Sequence, residues 1–485
     1  MQLRDLVTRR HSQRKFGYRN FPSLSGARAK QILALGIGLS TLAVGRSADD
    51  LSVNSTTLAE YVARPDPDFG WTERSAGRLG RTSYVELTLV SQEWRGVTWK
   101  HQLFIVKPST LNPEAKHAML VIAGRSWKDE YNQPTTDASL PSKSAPVYAQ
   151  LAEKLGTPVA VLLQVPFQPL FENLTEDWLI AYTFEQYLET GQEDWPLLLP
   201  MVKSCVRAMD AVQIYTQKKW GLNLQTFTVT GASKRGWTTW LTGAVDPRAT
   251  ALAPMVIDVL NMGPQMKHAK ATWGGPSAKV EPYTKHGLLD RLDTSEGRRL
   301  LNIVDPYSYR QDLDQPKLII NGTNDDYWVT DATNLYWNEL QGHKYLLYVP
   351  NNGHSLKDYG RVIGSVLALH QHQAGGIPMP DFEWKFAEES NVVSLAAMAE
   401  PQPDVMRVWT TASATPDLRK AAWRSQTLRV TDGKAEYRNK EDKGFRAFFI
   451  EAEFRKGRPV PLYLSTTMRI IPPNGAGVPA AGGPQ

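Results

Sequence analysis

Three residues of the kinds that pass a proton between them in acyl transfer stand far apart in this chain: Ser233, Asp325 and His354. A serine hydroxyl is a weak nucleophile until a base takes its proton, and the base needs a third group to fix its tautomer. Ser233 lies within Thr228-Val229-Thr230-Gly231-Ala232-Ser233-Lys234-Arg235-Gly236-Trp237. The β-branched run ending at Gly231 reads as a strand and the stretch from Arg235 as a helix, so the serine falls on a strand-to-helix corner. Such a corner strains and exposes the serine. It also leaves the backbone N–H of Lys234 at a helix N-terminus, where it can bind an oxyanion. Gly231 and Ala232 must be small because strand and helix pass close there. The usual spacing is G-x-S-x-G; here Arg235 takes the second place after the serine and Gly236 the third.

The other two members follow strand-like runs. His354 stands in Pro350-Asn351-Asn352-Gly353-His354-Ser355 after Lys344–Val349. Asp325 stands in Asn321-Gly322-Thr323-Asn324-Asp325-Asp326, where the run Lys317–Asn321 ends. The order Ser, Asp, His, with gaps of 92 (325 − 233) and 29 (354 − 325), is one of the known chain orders for such a triad. Each member has a plainer reading: His354 as a solvated loop histidine, Asp325 as a helix N-cap. Asp326, Asp331 and Asp258 (after Ala253–Ile257) are rivals for the acid, with Asp325 ranked first. A second oxyanion donor is expected in Gly124-Arg125-Ser126-Trp127, at the backbone N–H of Arg125 or Ser126, against a simple tight turn. Lys234 and Arg235 either add positive charge beside an anionic substrate or stand solvated, and solvation is the expectation for Lys234.

Other chemistry finds no motif. There is no H-E-x-x-H, no cysteine cluster and no phosphate-binding G-x-x-x-x-G-K-[ST], so no metal and no cofactor is expected. Cys205, the only cysteine, shares an apolar helical stripe with Val202, Met209 and Val212 and reads as buried and structural. His370 and His372 read as surface residues at a helix end.

The elements that would carry these residues alternate. Tyr84–Val90 and Val97–Val106 read as an opening antiparallel hairpin around Gly96. Ala118–Ile122, Val159–Val165, Gln225–Thr230, Ala253–Ile257, Lys317–Asn321 and Lys344–Val349 read as strands, with helices between them at Pro200–Lys218 and Arg235–Ala244. This is the pattern of a mostly parallel sheet covered on both faces. Residues 166–195 and 259–315 interrupt the alternation and read as cap or pocket-wall insertions at the carboxyl ends of strands. After residue 380 the β period takes over, in Phe382–Phe386, Val392–Ala397, Val405–Ser413, Leu428–Tyr437, Phe445–Phe454 and Leu462–Ile471. In one of these Phe448, Ile450, Ala452 and Phe454 share a face opposite Glu451 and Glu453. The fold class expected is therefore α/β, an α/β-hydrolase fold with cap insertions plus a C-terminal β-sandwich. The division expected is a leader at 1–48, the hydrolase domain at 55–378, the sandwich at 380–471 and a disordered tail at 472–485.

Charge argues against polyanionic partners once its position is considered. The chain carries +6, but residues 1–48 hold nine Lys/Arg against one acidic residue, +8, which leaves +6 − 8 = −2 for the rest. Nucleic acid is thus not an expected partner; a small-molecule or peptide substrate is. The basic stretch before the apolar run Ile32–Val44 and the small residues after it read as an export signal, giving a periplasmic or extracellular protein. No later segment reaches membrane-spanning length, so no integral span is expected in the mature chain.

At these residues the sequence resembles the PhoPQ-activated pathogenicity-related protein family. The likeness rests on TTLAEYVARPDPDFGW at 56–71, EDWPLLLPMVKSCVRAMDA at 193–211 and GASKRGWTTWLTGAVDPRATALAPMVIDVLNM at 231–262. It continues in VDPYSYRQDLDQPKLIINGTNDDYW at 304–328 and YVPNNGHS at 348–355. The resemblance implies an α/β-hydrolase-like domain, a C-terminal β domain and frequent export, and its pattern of a carboxylate before paired aromatics maps to Asp325 before Tyr327 and Trp328. It brings no defined substrate. A G-x-S-x-x-G corner also occurs in glucuronoyl esterases. The function expected is an exported serine hydrolase acting on an ester or amide. The alternative is a non-catalytic binding or virulence-associated protein on a hydrolase scaffold.

Overall fold

The computed structural model describes residues 55–133, 145–389, 392–439 and 443–473; the leader expected at 1–48, and all but the first two residues of the tail expected at 472–485, lie outside them. Among the described residues nine strands form one sheet: β1 (Gly70–Leu79), β2 (Thr82–Trp94), β3 (Val97–Lys107), β4 (His117–Ile122), β5 (Val159–Leu162), β6 (Thr226–Ala232), β7 (Ala249–Met255), β8 (Lys317–Gly322) and β9 (Lys344–Val349). Their order is β1-β2-β3-β5-β4-β6-β7-β8-β9. β1 and β3 run against the rest, and β4 to β9 are mutually parallel. An antiparallel opening followed by a parallel sheet with one exchange of neighbours is the α/β-hydrolase fold.

The parallel strands are short apolar runs because helices cover both faces. Every residue of β5 and of β8 is buried. β7 ends two residues earlier than the apolar pattern suggests, because Val256, with φ 46°, turns the chain out of the sheet. β1 has no apolar period to betray it. Its sequence GWTERSAGRL is polar, as an edge strand with a partner on one side only can be.

The helices are α1 (Ser55–Ala63), α2 (Ala145–Leu155), α3 (Glu176–Thr190), α4 (Leu198–Trp220), α5 (Lys234–Val245), α6 (Met262–Trp273), α7 (Glu281–Lys285), α8 (Leu288–Arg291), α9 (Ser295–Val304) and α10 (Tyr359–Gln373). In α4 the stripe of Val202, Cys205, Met209 and Val212 is fully buried. That helix stops at Gly221, whose left-handed backbone (φ 70°) lets its N–H reach the Gln217 carbonyl. The first interruption of the alternation carries α3 and the second carries α6 to α9. Both leave the sheet where a strand ends.

The C-terminal part forms two antiparallel sheets: β10 (Asp381–Glu389), β11 (Val392–Glu400) and β14 (Lys434–Asn439) in one, β12 (Val405–Ser413), β13 (Arg424–Thr427), β15 (Phe445–Phe454), β16 (Leu462–Ser465) and β17 (Arg469–Ile471) in the other. Leu428–Tyr437 is therefore not one strand. The turn at Asp432 (φ 49°) and Gly433 (φ 74°) sends the chain from one sheet to the other. Leu462–Ile471 likewise divides into β16 and β17, which pair with different stretches of β15. Phe448, Ile450, Ala452 and Phe454 pack with Val393, Leu395 and Ala397 of the facing sheet. The opposite face of β15 is not solvent. Glu451, 0% exposed, accepts from Arg361 of α10 at 2.9 Å, and Glu453 from Arg407 at 2.7 Å. Among the described residues no helix is long and apolar enough to cross a membrane.

Candidate active site

β6 ends at Ala232 and α5 begins at Lys234, so Ser233 occupies the corner itself, at φ 58° and ψ −129°. A non-glycine residue rarely takes this backbone, and neighbours must hold it there. One hold is the Ser233 N–H, which donates to the Met255 carbonyl at the end of β7 at 2.8 Å. A Cβ on Gly231 would lie 2.6 Å from the Arg235 carbonyl oxygen, and one on Gly236 would lie 2.7 Å from Ile257. Glycine is thus needed at the third place after the serine, where the helix touches the exit of β7. The second place can hold an arginine because its side chain runs out beneath Gly124, where a Cβ would meet the guanidinium at 2.1 Å.

His354 bridges the other two members. Its Nε2 is 2.9 Å from Ser233 Oγ, and its Nδ1 is 2.9 Å and 3.1 Å from the two oxygens of Asp325. Asp325 is 4% exposed and also accepts from the Tyr327 N–H at 2.9 Å. The Tyr327 ring stacks on the imidazole, with centroids 4.1 Å apart. The rival carboxylates are engaged elsewhere. Asp326 pairs with Lys279, and Asp331 with His268 at 2.6 Å. Asp258 accepts from Tyr336 and Thr333, and burial pushes its carboxyl up to about 7.

The loops carrying Asp325 and His354 support one another. The Asn324 N–H donates to the Asn352 carbonyl at 2.9 Å, and the Asn351 N–H to Thr323 Oγ1 at 2.9 Å. They pass so close that a Cβ on Gly322 would sit 2.4 Å from the Asn352 carbonyl oxygen. A second support comes from the connection between β12 and β13. The Asn324 amide donates to the Ala421 carbonyl at 2.7 Å, and the Asn351 side chain exchanges a pair of bonds with the Trp423 backbone at 2.8 and 3.0 Å. Asn324 and Asn351 escaped the sequence reading, because their partners lie 97 and 72 residues away, respectively.

Arg125 and Ser126 stand exposed in the loop after β4, which the Trp127 N–H ties to the Gln168 carbonyl at 2.8 Å. Lys234 overturns the expectation of solvation. It is 8% exposed, with Nζ 2.9 Å from Asp177 and 3.2 Å from Glu176. Arg235 is buried too, and binds both oxygens of Glu176 at 2.7 Å and the Val165 carbonyl at 2.5 Å. Burial would raise the Glu176 carboxyl, but the hydrogen bonds and charge of Arg235, with Lys234 behind them, pull it down to about 2. These cations are thus neutralised within the protein. Glu176 and Asp177 escaped the sequence reading because they sit on α3, 57 residues or more before the groups they pair with.

His370 is a second correction. It lies fully buried between Thr157 (2.7 Å) and Thr228 (3.1 Å), on the face of α10 that packs against the sheet. Among the described residues no group of three or more His, Cys, Asp or Glu is arranged to hold a metal.

Beside Ser233 a slot opens between α5, the exit of β7 and the cap helices α6 to α9. It is lined by Trp237, Ile257, Met262, Leu288, Leu300 and Val304, with Tyr327 and Asp177 among its other neighbours.

The PhoPQ-activated pathogenicity-related protein family matches residues 58–419 of the chain. Autocrine proliferation repressor protein A of Dictyostelium discoideum is 32% identical over 444 residues, which are 83% of this chain and 87% of that protein. Among solved structures, acetyl xylan esterase 1 from Thermoanaerobacterium sp. is similar at a TM-score of 0.43 and 15% identity, over 63% of this chain and 88% of the other. An S-formylglutathione hydrolase from Agrobacterium tumefaciens is similar at 0.39 and 12%, over 63% and 99%. A glucuronoyl esterase from Solibacter usitatus is similar at 0.37 and 12%, over 64% and 90%. At such identities the reaction named for each belongs to that protein and not to this chain.

Proposed function

The chain belongs to the PhoPQ-activated pathogenicity-related protein family, and from that premise we propose that it is an exported serine hydrolase that transfers the acyl group of an ester to water through Ser233, His354 and Asp325. The observation that carries the reading is the 2.9 Å contact between His354 Nε2 and Ser233 Oγ, with Asp325 on the far nitrogen of the same ring.

The steps follow from that contact. Ser233 Oγ attacks the carbonyl carbon while its proton passes to His354 Nε2, and Asp325 steadies the resulting imidazolium through Nδ1–H. The oxyanion is received by the backbone N–H of Lys234, at the start of α5, and by that of Arg125 or Ser126. As the intermediate collapses, the bond to the leaving alcohol breaks and His354 returns the proton to it. A water molecule, deprotonated by the same nitrogen, then attacks the acyl-enzyme, and Ser233 recovers its proton as the acid departs. An ester is preferred to a peptide because the slot offers nothing for the N–H and C=O groups of a main chain. Export rests on the basic stretch and apolar run within residues 1–48.

A fluorophosphonate probe tests the reading. Wild type isolated from the extracytoplasmic fraction takes the label, Ser233→Ala does not, and the labelled chain has a mass that lacks the leader. A folded wild type that never labels leaves only a non-catalytic binding protein on this scaffold. A full-length mass, or a chain confined to the cytoplasm, removes export.

A further inference from the structure

The slot beside Ser233 is almost wholly apolar. Counting its mouth it encloses about 790 Å³ of empty space. Leu288 and Leu300 are 3% and 2% exposed, and Val304 is fully buried, so the deep wall belongs to the core. The charged groups along the slot are already paired, while the buried indole N–H of Trp328 has no partner among the described residues. Lys234 donates to Asp177 at 2.9 Å, and the Tyr283 hydroxyl donates to the other oxygen of Asp177 at 3.1 Å. Met262 and Met266 on α6 supply flexible, unbranched walls that adjust to chains of different length.

Resting on the hydrolase reading above, we propose that the acyl part of the substrate is an apolar chain longer than acetyl that lies in this slot. The side of the serine follows from the chemistry. The leaving alcohol must stay within reach of His354 Nε2 to be protonated. His354 does not line the slot; Tyr327, stacked on its imidazole, does. The slot therefore receives the group on the other side of the carbonyl.

The same walls exclude the alternatives. A sugar hydroxyl pushed against leucine and valine loses its water without gaining a partner, at roughly a tenfold loss for each group. A uronate or an ammonium fares worse, because Lys234 and Asp177 are spent on each other. An acetyl group fits but leaves the slot empty. Each methylene that enters it is worth about a fourfold gain in kcat/KM when fully buried.

The test uses p-nitrophenyl esters from acetyl to dodecanoyl with one leaving group throughout, together with a methyl glucuronoyl ester. The wild-type kcat/KM is expected to rise on the order of a hundredfold from acetyl to hexanoyl. Leu292→Trp, at the half-buried part of the wall, lowers the ratio of octanoyl to acetyl turnover. Leu292→Ala moves the optimum to longer chains and keeps the test open if the tryptophan variant does not fold. Enzyme that takes the fluorophosphonate label but prefers acetyl, shows no chain-length trend, cleaves the glucuronoyl ester faster than hexanoyl, or turns over none of them overturns the acyl-chain proposal alone. Enzyme that neither labels nor turns over fails at the hydrolase reading itself.

Discussion

Two carboxylates near the site differ in how they are held, and the difference assigns them different work. Asp325 touches His354 Nδ1 with both oxygens, whereas Asp258 is turned to Tyr336 and Thr333. In Asp325→Asn the amide nitrogen can no longer accept the Nδ1–H, so the imidazole is held in the wrong tautomer. Turnover of an ester is expected to fall about ten-thousandfold while the fold stays intact. Asp258, pushed up to about 7, is already half protonated near neutrality, and an amide of the same shape replaces it well. Asp258→Asn is expected to keep turnover within about tenfold. Steady-state kinetics on both variants decides between them, and the opposite ranking would make Asp258 the acid. At this scale the sequence was readable where a side chain sits within a few residues of a strand end, as Ser233, Asp325 and His354 all do. It was not readable for Lys234, whose burial depends on a helix entering from an insertion.

The elements most responsible for the geometry are two loops and the connection that braces them from the C-terminal sheets. Asn324 and Asn351 shortly precede Asp325 and His354, and their amides end on backbone atoms of residues 421 and 423. They are positioning residues, since neither touches the reacting atoms. Asn351→Ala removes both bonds to Trp423 and frees the β9 loop to shift, so kcat is expected to fall ten- to a hundredfold with KM little changed. Asn351→Asp keeps the acceptor for the Trp423 N–H and is expected to recover part of that loss. Titration of labelled serine counts intact sites. A purely structural asparagine would lower the melting temperature and leave kcat per labelled site unchanged. β12 was visible as an alternating run, but β13 at Arg424–Thr427 was not, because its four residues are polar and exposed and carry no apolar period. The break at Asp432 and Gly433 was hidden too, because an alternating run does not show where a turn divides it.

Across the molecule, neutral histidines are built into the core. His117, at the start of β4, lies 2.8 Å from both Thr226 and Thr228 of β6, and its ring is 4.7 Å from that of His370 on α10. Burial lowers His117 and His101 to about 4 and His370 well below its usual value, His117 adding to the last. A spacing of two on a helix end hid this, since it fixes neither residue's side of the helix. A group whose folded value is depressed binds more protons when unfolded. Its stabilisation is complete above about 6.5 and is lost as the pH falls towards about 4. Asp258 and Asp305, raised to about 7 and about 6, act in the opposite sense over much of that range, so the melting curve of the wild type alone mixes the two. The difference between wild type and His117→Gln separates them. At pH 7 the variant is expected to be the less stable, and between pH 7 and pH 4 the gap is expected to close by about 3 kcal/mol. Denaturant unfolding at stepped pH measures it. A gap that stays constant would mean that His117 carries its proton inside the fold, which its two threonine partners and the neighbouring imidazole give it no anion to balance.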